Sequence, residues 1–596
     1  MPRLQSGVWK HYTSAVKDGR ETFMCNYCSK SYTKNATKMQ MHLDKCKKYS
    51  IVSQQSPGPD GSSSASIPVP SFSFLPSASP GGQFLIDSVD QRSQAVADEC
   101  LARAVYATSS PLTLADNIYW KKFFSVLRPA YCPPTREALS SHLLDYEYDR
   151  VQSQVHETIG KAECVTIICS GWSNVKETGT IIYSVATPVP LFYKCTTIKQ
   201  QTHTSTFIAE ELKDVISKVG PQKVFAVVTD DAPEMMAAWA QVEKAFPHIS
   251  AIGCTSCGVQ QLFNDTLATP SMKTVCRRAE QVARSVREQK ILAETFGCRQ
   301  KTKINNTDNG TTLTLPSNSD WTGVVNMFNS LLEGQNSLQE MAVSHTLNME
   351  ASIREMIQDE AFWKDLSSSR NLLHLIGNYI DYMKRKDAVL SGVVDMFSQL
   401  KNHIGASLSE SVLHSGEQKA IMASLDRCQE FSIKPIHAAA YMLDPKHVGQ
   451  QTLSGEQINS AYYVISNLSH HLNLDAGKVL GSFARFSAKQ GLWKGAGIWS
   501  SCQHVSASTW WKGLCSSEPL SAVASAILQI PPTTGACDQI WSRFCDTKVL
   551  GALSTERAQK LVAVQTNLHL IEPSDCEYAP LESEEEKKVS FQSETQ

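Results

Sequence analysis

Long apolar runs are missing from this sequence of 596 residues. No segment reaches about 18 consecutive apolar residues, so the sequence predicts no membrane-spanning helix. The opening MPRLQSGVWKHY lacks the apolar stretch of a secretory signal, and we therefore expect an intracellular protein without membrane contact. The 18 cysteines are mostly scattered singly, which in a reducing compartment favours buried thiols or metal ligands over a disulfide framework.

The chain as a whole also lacks an excess of either charge, because its formal net charge is -2. The first 50 residues are the exception, because they carry a net charge of +7 and leave -9 for the remainder. A basic segment on a mildly acidic body indicates binding of a large anion, usually nucleic acid. With 42% hydrophobic residues and 11 Trp, the chain is not mainly disordered, and its length predicts several folded units.

The basic segment, residues 1–50, contains four side chains of the metal-ligand type. Cys25 and Cys28 have the spacing of a tight knuckle, and His42 and Cys46 are four residues apart, which on one helix would place both on the same face. A segment this short buries little apolar surface, so we expect tetrahedral Zn²⁺ to supply much of its folding free energy. The alternative is that these four Cys and His side chains are unrelated residues of a basic segment and do not form a common metal site.

Residues 7–49 resemble a BED-type zinc finger, since Trp9, His11 and Tyr12 precede the two ligand pairs. BED-type fingers are DNA-binding modules, so the resemblance implies double-stranded DNA as the ligand.

Six polar residues on or beside the expected helix are candidate DNA contacts. Those near its first turn could reach base edges, whereas the lysines near its end are expected to meet phosphates, which position a protein without reading sequence. The six are Lys34, Asn35, Lys38, Lys45, Lys47 and Lys48. For any single lysine a solvated surface position is an equally good interpretation, so the prediction depends on the cluster.

Composition and periodicity divide the rest of the chain. Ser, Pro and Gly dominate residues 51–85, which we interpret as a disordered linker. Residues 86–160 have apolar side chains at helical spacing, which predicts helices over 86–118 and 136–158.

From 161 to 268, the expected order of elements is β-β-β-α-β-α-β-α. Three successive strands followed by αβ units predict a mixed sheet with an antiparallel and a parallel part. Residues 269–505 are almost wholly helical in pattern, 506–572 contain two more helices, and 573–596 form an acidic tail.

Several motifs in this body resemble hAT-superfamily DNA transposases when they are taken in order. They are Leu114-Ala-Asp-Asn-Ile-Tyr-Trp, Ser170-Gly-Trp, Val228-Thr-Asp-Asp, Gly253-Cys-Thr-Ser-Cys, Trp510-Trp and Asp538-Gln-Ile-Trp-Ser. Together with the finger, the resemblance covers nearly the whole chain. It implies an α/β fold in which a ribonuclease H-like mixed sheet is interrupted by a large all-helical insertion. It also implies that residues 506–572 complete this sheet and form a dimerisation region.

In such transposases three carboxylates hold two divalent metal ions that act on the DNA strand. The matching positions here are Ser170, Asp230 and Asp538, so a hydroxyl replaces the first carboxylate and a shorter acid replaces the third. Asp231 is a poor substitute, because neighbouring residues of a strand face opposite sides of the sheet. We therefore interpret the three as a degenerate remnant and expect no enzymatic activity.

Three further features have interpretations that the structure can test. Cys254 and Cys257 are expected to be buried structural thiols, since no second Cys pair follows to complete a zinc ribbon. Trp321 resembles a tryptophan that hAT enzymes place near flipped DNA bases, but a core position is expected. A helix from 554 to 569 would align apolar side chains that either cover the sheet or pair two copies, namely Leu561, Val564, Gln565 and Leu568.

These observations favour a nuclear, non-enzymatic zinc-finger protein of hAT transposase origin. It would bind double-stranded DNA through Zn²⁺-dependent residues 1–50, form a homo-oligomer and act as a transcription or chromatin-associated factor. The alternative is an active hAT-type transposase with a two-metal mechanism, which Ser170 disfavours. A body that binds other proteins, with a finger that lacks DNA affinity, is a weaker possibility, because the charge of residues 1–50 argues against it.

Overall fold

The architecture was obtained as a computed structural model of the full chain. It describes residues 11–17, 20–26, 28, 30–33, 36–43, 45–46, 89–173, 178–199, 204–303, 312–316, 321–344, 346–551 and 553–571. The chain is divided into two compact units, residues 1–85 and 86–596. The predicted linker and acidic tail lie outside the described residues. Among the described helices, none combines the length and the hydropathy needed to cross a bilayer.

The first unit is a small antiparallel sheet followed by one helix. Its elements are β1 (Tyr12–Lys17), β2 (Arg20–Cys25), β3 (Ser31–Thr33) and α1 (Ala36–Leu43). The strand order is β1-β2-β3. Tyr12, Phe23 and Met39 form the buried core together with Cys25 and Cys46. Five residues are a very small core for the described part of this unit, so we expect its stability to depend on something other than apolar burial.

The second unit begins with four helices, α2 (Gln91–Ala107), α3 (Ile118–Leu127), α4 (Arg136–Ser140) and α5 (His142–Lys161). The prediction of one helix over 86–118 is wrong, because α2 ends at Ala107 and Pro111 has no amide hydrogen to continue it. The predicted helix over 136–158 is likewise two helices that meet at Ser141, whose backbone has left the helical region.

A five-stranded mixed sheet follows, with strand order β6-β5-β4-β7-β8. β4 pairs with β5, and β5 with β6, in antiparallel fashion, whereas β4–β7 and β7–β8 are parallel. This confirms the predicted mixed sheet and its β-β-β-α-β-α-β-α order. The elements are β4 (Val165–Ser173), β5 (Thr178–Ala186), β6 (Pro190–Lys199), α6 (Ser205–Val219), β7 (Val224–Thr229), α7 (Pro233–Ala245), β8 (Ser250–Gly253) and α8 (Thr255–Leu267).

A large helical region is inserted after α8, as the sequence predicts, and it has two buried apolar cores. Its helices are α9 (Pro270–Glu288), α10 (Lys290–Lys303), α11 (Trp321–Val343), α12 (Ala351–Gln358), α13 (Glu360–Lys384), α14 (Gly392–Leu408), α15 (Ser415–Ser432), α16 (Pro435–Leu443), α17 (Gly455–His471), α18 (Ala476–Ser487), α19 (Ala496–Ser500), α20 (Ala507–Leu514) and α21 (Leu520–Ile527).

The chain then returns to the sheet with α22 (Gly535–Gly551) and α23 (Thr555–Ile571). One face of the sheet packs against α5, α6 and α7. The other face is covered by α22 and part of α23 over β4 to β6, and by the helical region over β7 and β8. Leu561 and Val564 of α23 pack against α2, α4 and α5. The apolar stripe predicted on this helix is therefore buried within the same chain, and its side chains are not a surface for a second copy.

Trp321 opens α11 and is buried, as predicted for a core residue. Its indole lies directly over Gly377 of α13, where an added Cβ would stand 2.2 Å from the ring. We expect Gly377→Ala to lower the free energy of unfolding by about 1–3 kcal/mol through overpacking. Gly405→Ala is the matched control, because nothing lies within 4 Å of that helical position. It should be neutral or stabilise by about 0.5–1 kcal/mol. Thermal denaturation measures both, and equal melting temperatures would contradict the contact.

Candidate metal centre and carboxylate site

Four ligand atoms converge in the first unit. The sulfurs of Cys25, Cys28 and Cys46 and a ring nitrogen of His42 all lie within 4.8 Å of one another. Cys28 Sγ and His42 Nε2 are 3.1 Å apart. Tetrahedral zinc with three sulfur ligands and one nitrogen ligand requires ligand atoms about 3.5–3.8 Å apart. The donor set and its spacing therefore fit one Zn²⁺ ion.

The surrounding backbone explains how these ligands are positioned. Cys25 is the last residue of β2, and its N–H donates to the Lys30 carbonyl at 2.9 Å, which closes the turn that carries Cys28. The Tyr12 hydroxyl donates to the Met39 carbonyl at 2.8 Å and so ties β1 to α1. The predicted knuckle and its ligand helix are thus held together by hydrogen bonds as well as by the ligands themselves.

Cys46 reaches the cluster in a different way from the one predicted. The helix α1 ends at Leu43, so His42 and Cys46 do not share a helical face. Instead, the Lys45 N–H donates to the His42 carbonyl at 3.1 Å, and this turn brings the Cys46 sulfur back to the cluster. The expectation from helical spacing is wrong for Cys46, although the four predicted ligands do come together. Sequence reasoning missed Tyr32, whose ring centroid lies 5.0 Å from that of His42.

The candidate DNA contacts are only partly described. Lys38, on α1, and Lys45, after it, are both exposed. The other candidates, Lys34, Asn35, Lys47 and Lys48, lie outside the described residues. The two described lysines flank the ligand His42, so positive charge is exposed on both sides of the helix end.

In the second unit, Ser170 on β4 and Asp230 after β7 are brought together. The Ser170 hydroxyl donates to Asp230 Oδ2 at 2.9 Å, and the Gly171 N–H donates to the same oxygen at 2.7 Å. The Ala232 N–H donates to Asp230 Oδ1 at 3.1 Å. Both carboxylate oxygens are therefore satisfied by neutral donors from the chain, at the position where a metal-binding acid would need them free.

Asp538, in the first turn of α22, belongs to the same region. Burial raises the pKa of its carboxyl group, Lys384 opposes this shift, and the charge of Asp230 adds to it. The influence of Asp230 indicates that the two carboxyl groups lie close enough for their charges to interact. Among the described residues, no group of three thiols, imidazoles or carboxylates other than the four ligands of the first unit gathers closely enough to hold an ion.

Asp231 does not replace the missing carboxylate, but the reason differs from the one predicted. It is not a strand residue, because β7 ends at Thr229. Burial raises the pKa of its carboxyl group. The pKa of the Cys257 thiol is raised mainly by its hydrogen bond with Cys254, and that of the Cys428 thiol by burial, and the charge of Asp231 adds to both shifts. Asp231 thus lies close enough to one thiol of α8 and one of α15 for its charge to act on them.

The Cys254 thiol has a structural role at the start of α8. Cys254 is fully buried and its sulfur accepts hydrogen bonds from the N–H groups of Cys257 and Thr534, each at 3.4 Å. Burial acts to raise the pKa of this thiol, but hydrogen bonds from Cys257, Ser256 and Thr534 outweigh it and lower the pKa. Cys254 therefore caps the helix and fastens the returning chain, as expected for a structural thiol, whereas Cys257 is only half-buried.

A broad cleft of about 2420 Å³ lies between the helical region and α22. Its lining includes six cationic and three anionic side chains, which are Lys384, Arg385, Lys386, Lys446, Lys512, Arg543, Asp387, Asp395 and Asp444. Sequence reasoning did not predict this cleft, because its walls come from segments far apart in the chain.

Comparison with known families finds one match. The model described as Domain of unknown function (DUF659) matches residues 134–282. This range includes all five strands of the mixed sheet and carries both Ser170 and Asp230. No curated protein matches the sequence significantly. The chain thus contains a DUF659 domain that follows an N-terminal Cys/His cluster suited to a zinc ion.

Proposed function

We propose that this chain is a zinc-dependent DNA-binding protein of hAT transposase origin without transposase activity. In this account, it acts in the nucleus as a transcription or chromatin-associated factor. The observation that carries the proposal is the convergence of Cys25, Cys28, His42 and Cys46 within 4.8 Å in a segment that carries a net charge of +7. Zinc would hold the fold of the first unit, and the surrounding lysines would meet the DNA.

Charge and exposure support DNA as the ligand of the first unit. A metal ion held by these ligands would lie in the interior, where Cys25 and Cys46 are buried, and would leave the surface available for binding. Lys38 and Lys45 are exposed beside α1, and a short helix is the usual element that a zinc finger places in the major groove. The second unit has no comparable net positive charge, since the remainder of the chain carries -9.

The contacts of Asp230 support the absence of catalysis. A two-metal mechanism needs charged oxygens that are free to bind ions, because Mg²⁺ is held through carboxylates, phosphate and water. Here the Ser170 hydroxyl donates to Asp230 and occupies the place of the first acid. The alternative function, an active transposase, would require the ions to be held by Asp230 and Asp538 with DNA phosphate alone.

The proposal predicts that lysines of the first unit control DNA affinity. For the full-length protein on random duplex DNA, we expect Lys38→Glu/Lys45→Glu to weaken binding at least about tenfold. The slope of log K against log salt should also fall by about 2, because each neutralised phosphate contributes about 0.9. Fluorescence anisotropy at several salt concentrations measures both quantities.

Matched control lysines are available in the second unit. Lys161 and Lys290 have side chains that are 75% and 87% exposed. Their double substitution by Glu removes the same charge and should leave both affinity and slope unchanged. Equal losses in the two double variants would contradict a DNA site in the first unit and would point to the overall charge or to the basic cleft instead.

A further inference from the structure

The broad cleft between the helical region and α22 carries an excess of positive charge. Its six cationic and three anionic side chains leave a net charge of +3. Its volume of about 2420 Å³ exceeds the range of about 300–1,000 Å³ that suits a small molecule. The cleft therefore fits a segment of polymer that carries negative charge.

The three acids of the cleft already have partners within the chain. Asp387 forms an ion pair with Arg385 at 2.9 Å. Asp444 is buried and accepts a hydrogen bond from a neighbouring hydroxyl group at 2.6 Å. Asp395 Oδ2 lies 3.2 Å from the Nδ1 atom of His447. The acids are thus engaged by groups other than the remaining cations of the cleft.

Three exposed lysines of the cleft form no ion pair with a carboxylate in the part of the chain that the structure describes. They are Lys386 after α13, Lys446 after α16 and Lys512 on α20. Arg543 on α22 lines the same cleft, and its guanidinium donates to the Gln565 carbonyl at 3.1 Å. Partial desolvation lowers the pKa of this guanidinium. An anion in the cleft would stabilise all four cations.

The last described helix leads the chain to this cleft. Thr566, His569 and Leu570 of α23 belong to the cleft lining, and the helix ends at Ile571. The chain therefore leaves the edge of the cleft and continues into residues 573–596, the predicted acidic tail. This segment has seven acids and two lysines, a net charge of -5. Four of the acids are clustered, namely Glu582, Glu584, Glu585 and Glu586.

We propose that residues 573–596 bind in this basic cleft of the same chain, where the four clustered glutamates meet the three lysines. Ten residues separate Ile571 from Glu582. Extended, they span up to about 33 Å, whereas a sphere of the cleft volume is about 17 Å across. Because the segment is attached to the chain, its effective concentration is about millimolar, so contacts that are individually weak are sufficient.

The bound segment closes the cleft to other polyanions and is therefore an autoinhibitory contact. Nucleic acid is then excluded from the second unit and is bound through the first unit alone. Raised salt releases the segment, because exposed charges are screened. The contact does not depend on DNA binding by the first unit, since both the segment and the cleft belong to the second unit.

Binding of a peptide to the zinc-loaded, full-length protein tests the contact. The probe is a fluorescent peptide with the sequence of residues 573–596, and fluorescence anisotropy at low salt measures its affinity. In the wild type the attached segment competes with the probe. The variant Glu582→Gln/Glu584→Gln/Glu585→Gln/Glu586→Gln loses this competition and should bind the probe at least about tenfold more tightly. Equal affinity of this variant and the wild type would overturn the proposal.

A matched control removes four exposed acids elsewhere in the second unit and should bind the probe as the wild type does. It is Glu157→Gln/Glu210→Gln/Glu280→Gln/Glu288→Gln. Tighter binding by this control would show that total charge, and not the segment, governs the affinity for the probe, and would also overturn the proposal.

Lysine variants locate the binding site of the probe. Added to the variant of the clustered glutamates, Lys386→Glu/Lys512→Glu should weaken probe binding at least about tenfold, because both cations line the cleft. The melting temperature should not change, since both side chains are exposed. Lys161→Glu/Lys290→Glu removes the same charge outside the cleft and should leave the affinity unchanged.

The first unit is the other basic region that could attract the probe. Loss of probe binding in Lys38→Glu/Lys45→Glu, with full binding in Lys386→Glu/Lys512→Glu, would overturn the proposal in favour of the first unit. Random single-stranded DNA that binds the wild type as tightly as the variant of the clustered glutamates, and is lost in Lys386→Glu/Lys512→Glu, would overturn it in favour of a nucleic-acid site that the segment leaves open.

Carbodiimide cross-linking of the wild type shows whether the segment binds its own chain. This reagent joins a carboxylate to a neighbouring amine with loss of water, so residues 582–586 should become linked to Lys386, Lys446 or Lys512. The fraction of chains that carry this link should not depend on protein concentration. A fraction that rises in proportion to concentration would place the segment in the cleft of another copy and would overturn the proposal.

Discussion

Chelation of zinc from the full-length protein unfolds the first unit and leaves the second unit folded. We expect peptides that cover β1 and β2 to lose their protection from amide hydrogen exchange, while peptides from β4 to β8 keep theirs. The reason is that, among the described residues of the first unit, five form the buried core, and two of these are ligands. Structural zinc contributes about 10–16 kcal/mol of binding free energy in comparable small domains, and this free energy is also folding free energy.

Cysteine variants separate the loss of metal from other effects of the chelator. Cys25→Ser should reproduce the loss of protection without any chelator, because it removes one of the four ligands. Cys100→Ser is the matched control, since Cys100 is an exposed thiol in α2, and it should behave as the wild type. Unchanged protection of β1 and β2 in Cys25→Ser would refute a structural metal in this unit.

The second large effect is expected from Ser170→Asp. The new carboxylate would replace a hydroxyl that lies 2.9 Å from Asp230, in a site where Ser170 is 3% exposed. Two buried like charges at hydrogen-bond distance should lower the free energy of unfolding of the second unit by about 2–4 kcal/mol without metal. Millimolar Mn²⁺ should restore much of this stability in the variant, because binding to the folded state stabilises it by mass action.

The wild type and a second buried variant complete this experiment. Wild-type protein should show no Mn²⁺-dependent rise in melting temperature. Ser184→Asp also buries a new acid, because Ser184 is fully buried on β5, but Asp230 is not its hydrogen-bond partner. It should be destabilised without recovery in Mn²⁺. Wild-type protein that binds Mn²⁺ as tightly as Ser170→Asp would favour the active transposase instead.

The sheet was predictable because its strands are short apolar runs between turn residues. Val224–Thr229 is buried at every position, so it lacks the polar face that would make its pattern resemble that of an amphipathic helix. Helix limits were harder to predict. The apolar spacing continues past Ala107, and only Pro111 marks the break. Sequence periodicity shows that the Leu561 and Val564 face of α23 must be covered, but it does not identify the covering element, which is the same chain.

The metal ligands were predictable because Cys25 and Cys28 are so close in sequence that a single tight turn brings both side chains together. Cys46 was assigned to the correct cluster for the wrong reason. Helical spacing assumes that the helix continues to Cys46, whereas α1 ends at Leu43 and a turn follows. The contact of Ser170 with Asp230 joins residues 60 positions apart. It depends on the parallel pairing of β4 with β7, which places Cys169 opposite Thr229.

Selection of binding sites from random duplex DNA with the zinc-loaded, full-length protein is the decisive test of zinc-dependent DNA recognition by residues 1–50. If zinc holds a DNA-reading unit in residues 1–50, wild-type protein enriches one defined sequence motif, and Cys25→Ser enriches none. Enrichment of no motif by the wild type, or of the same motif by Cys25→Ser, would contradict the account.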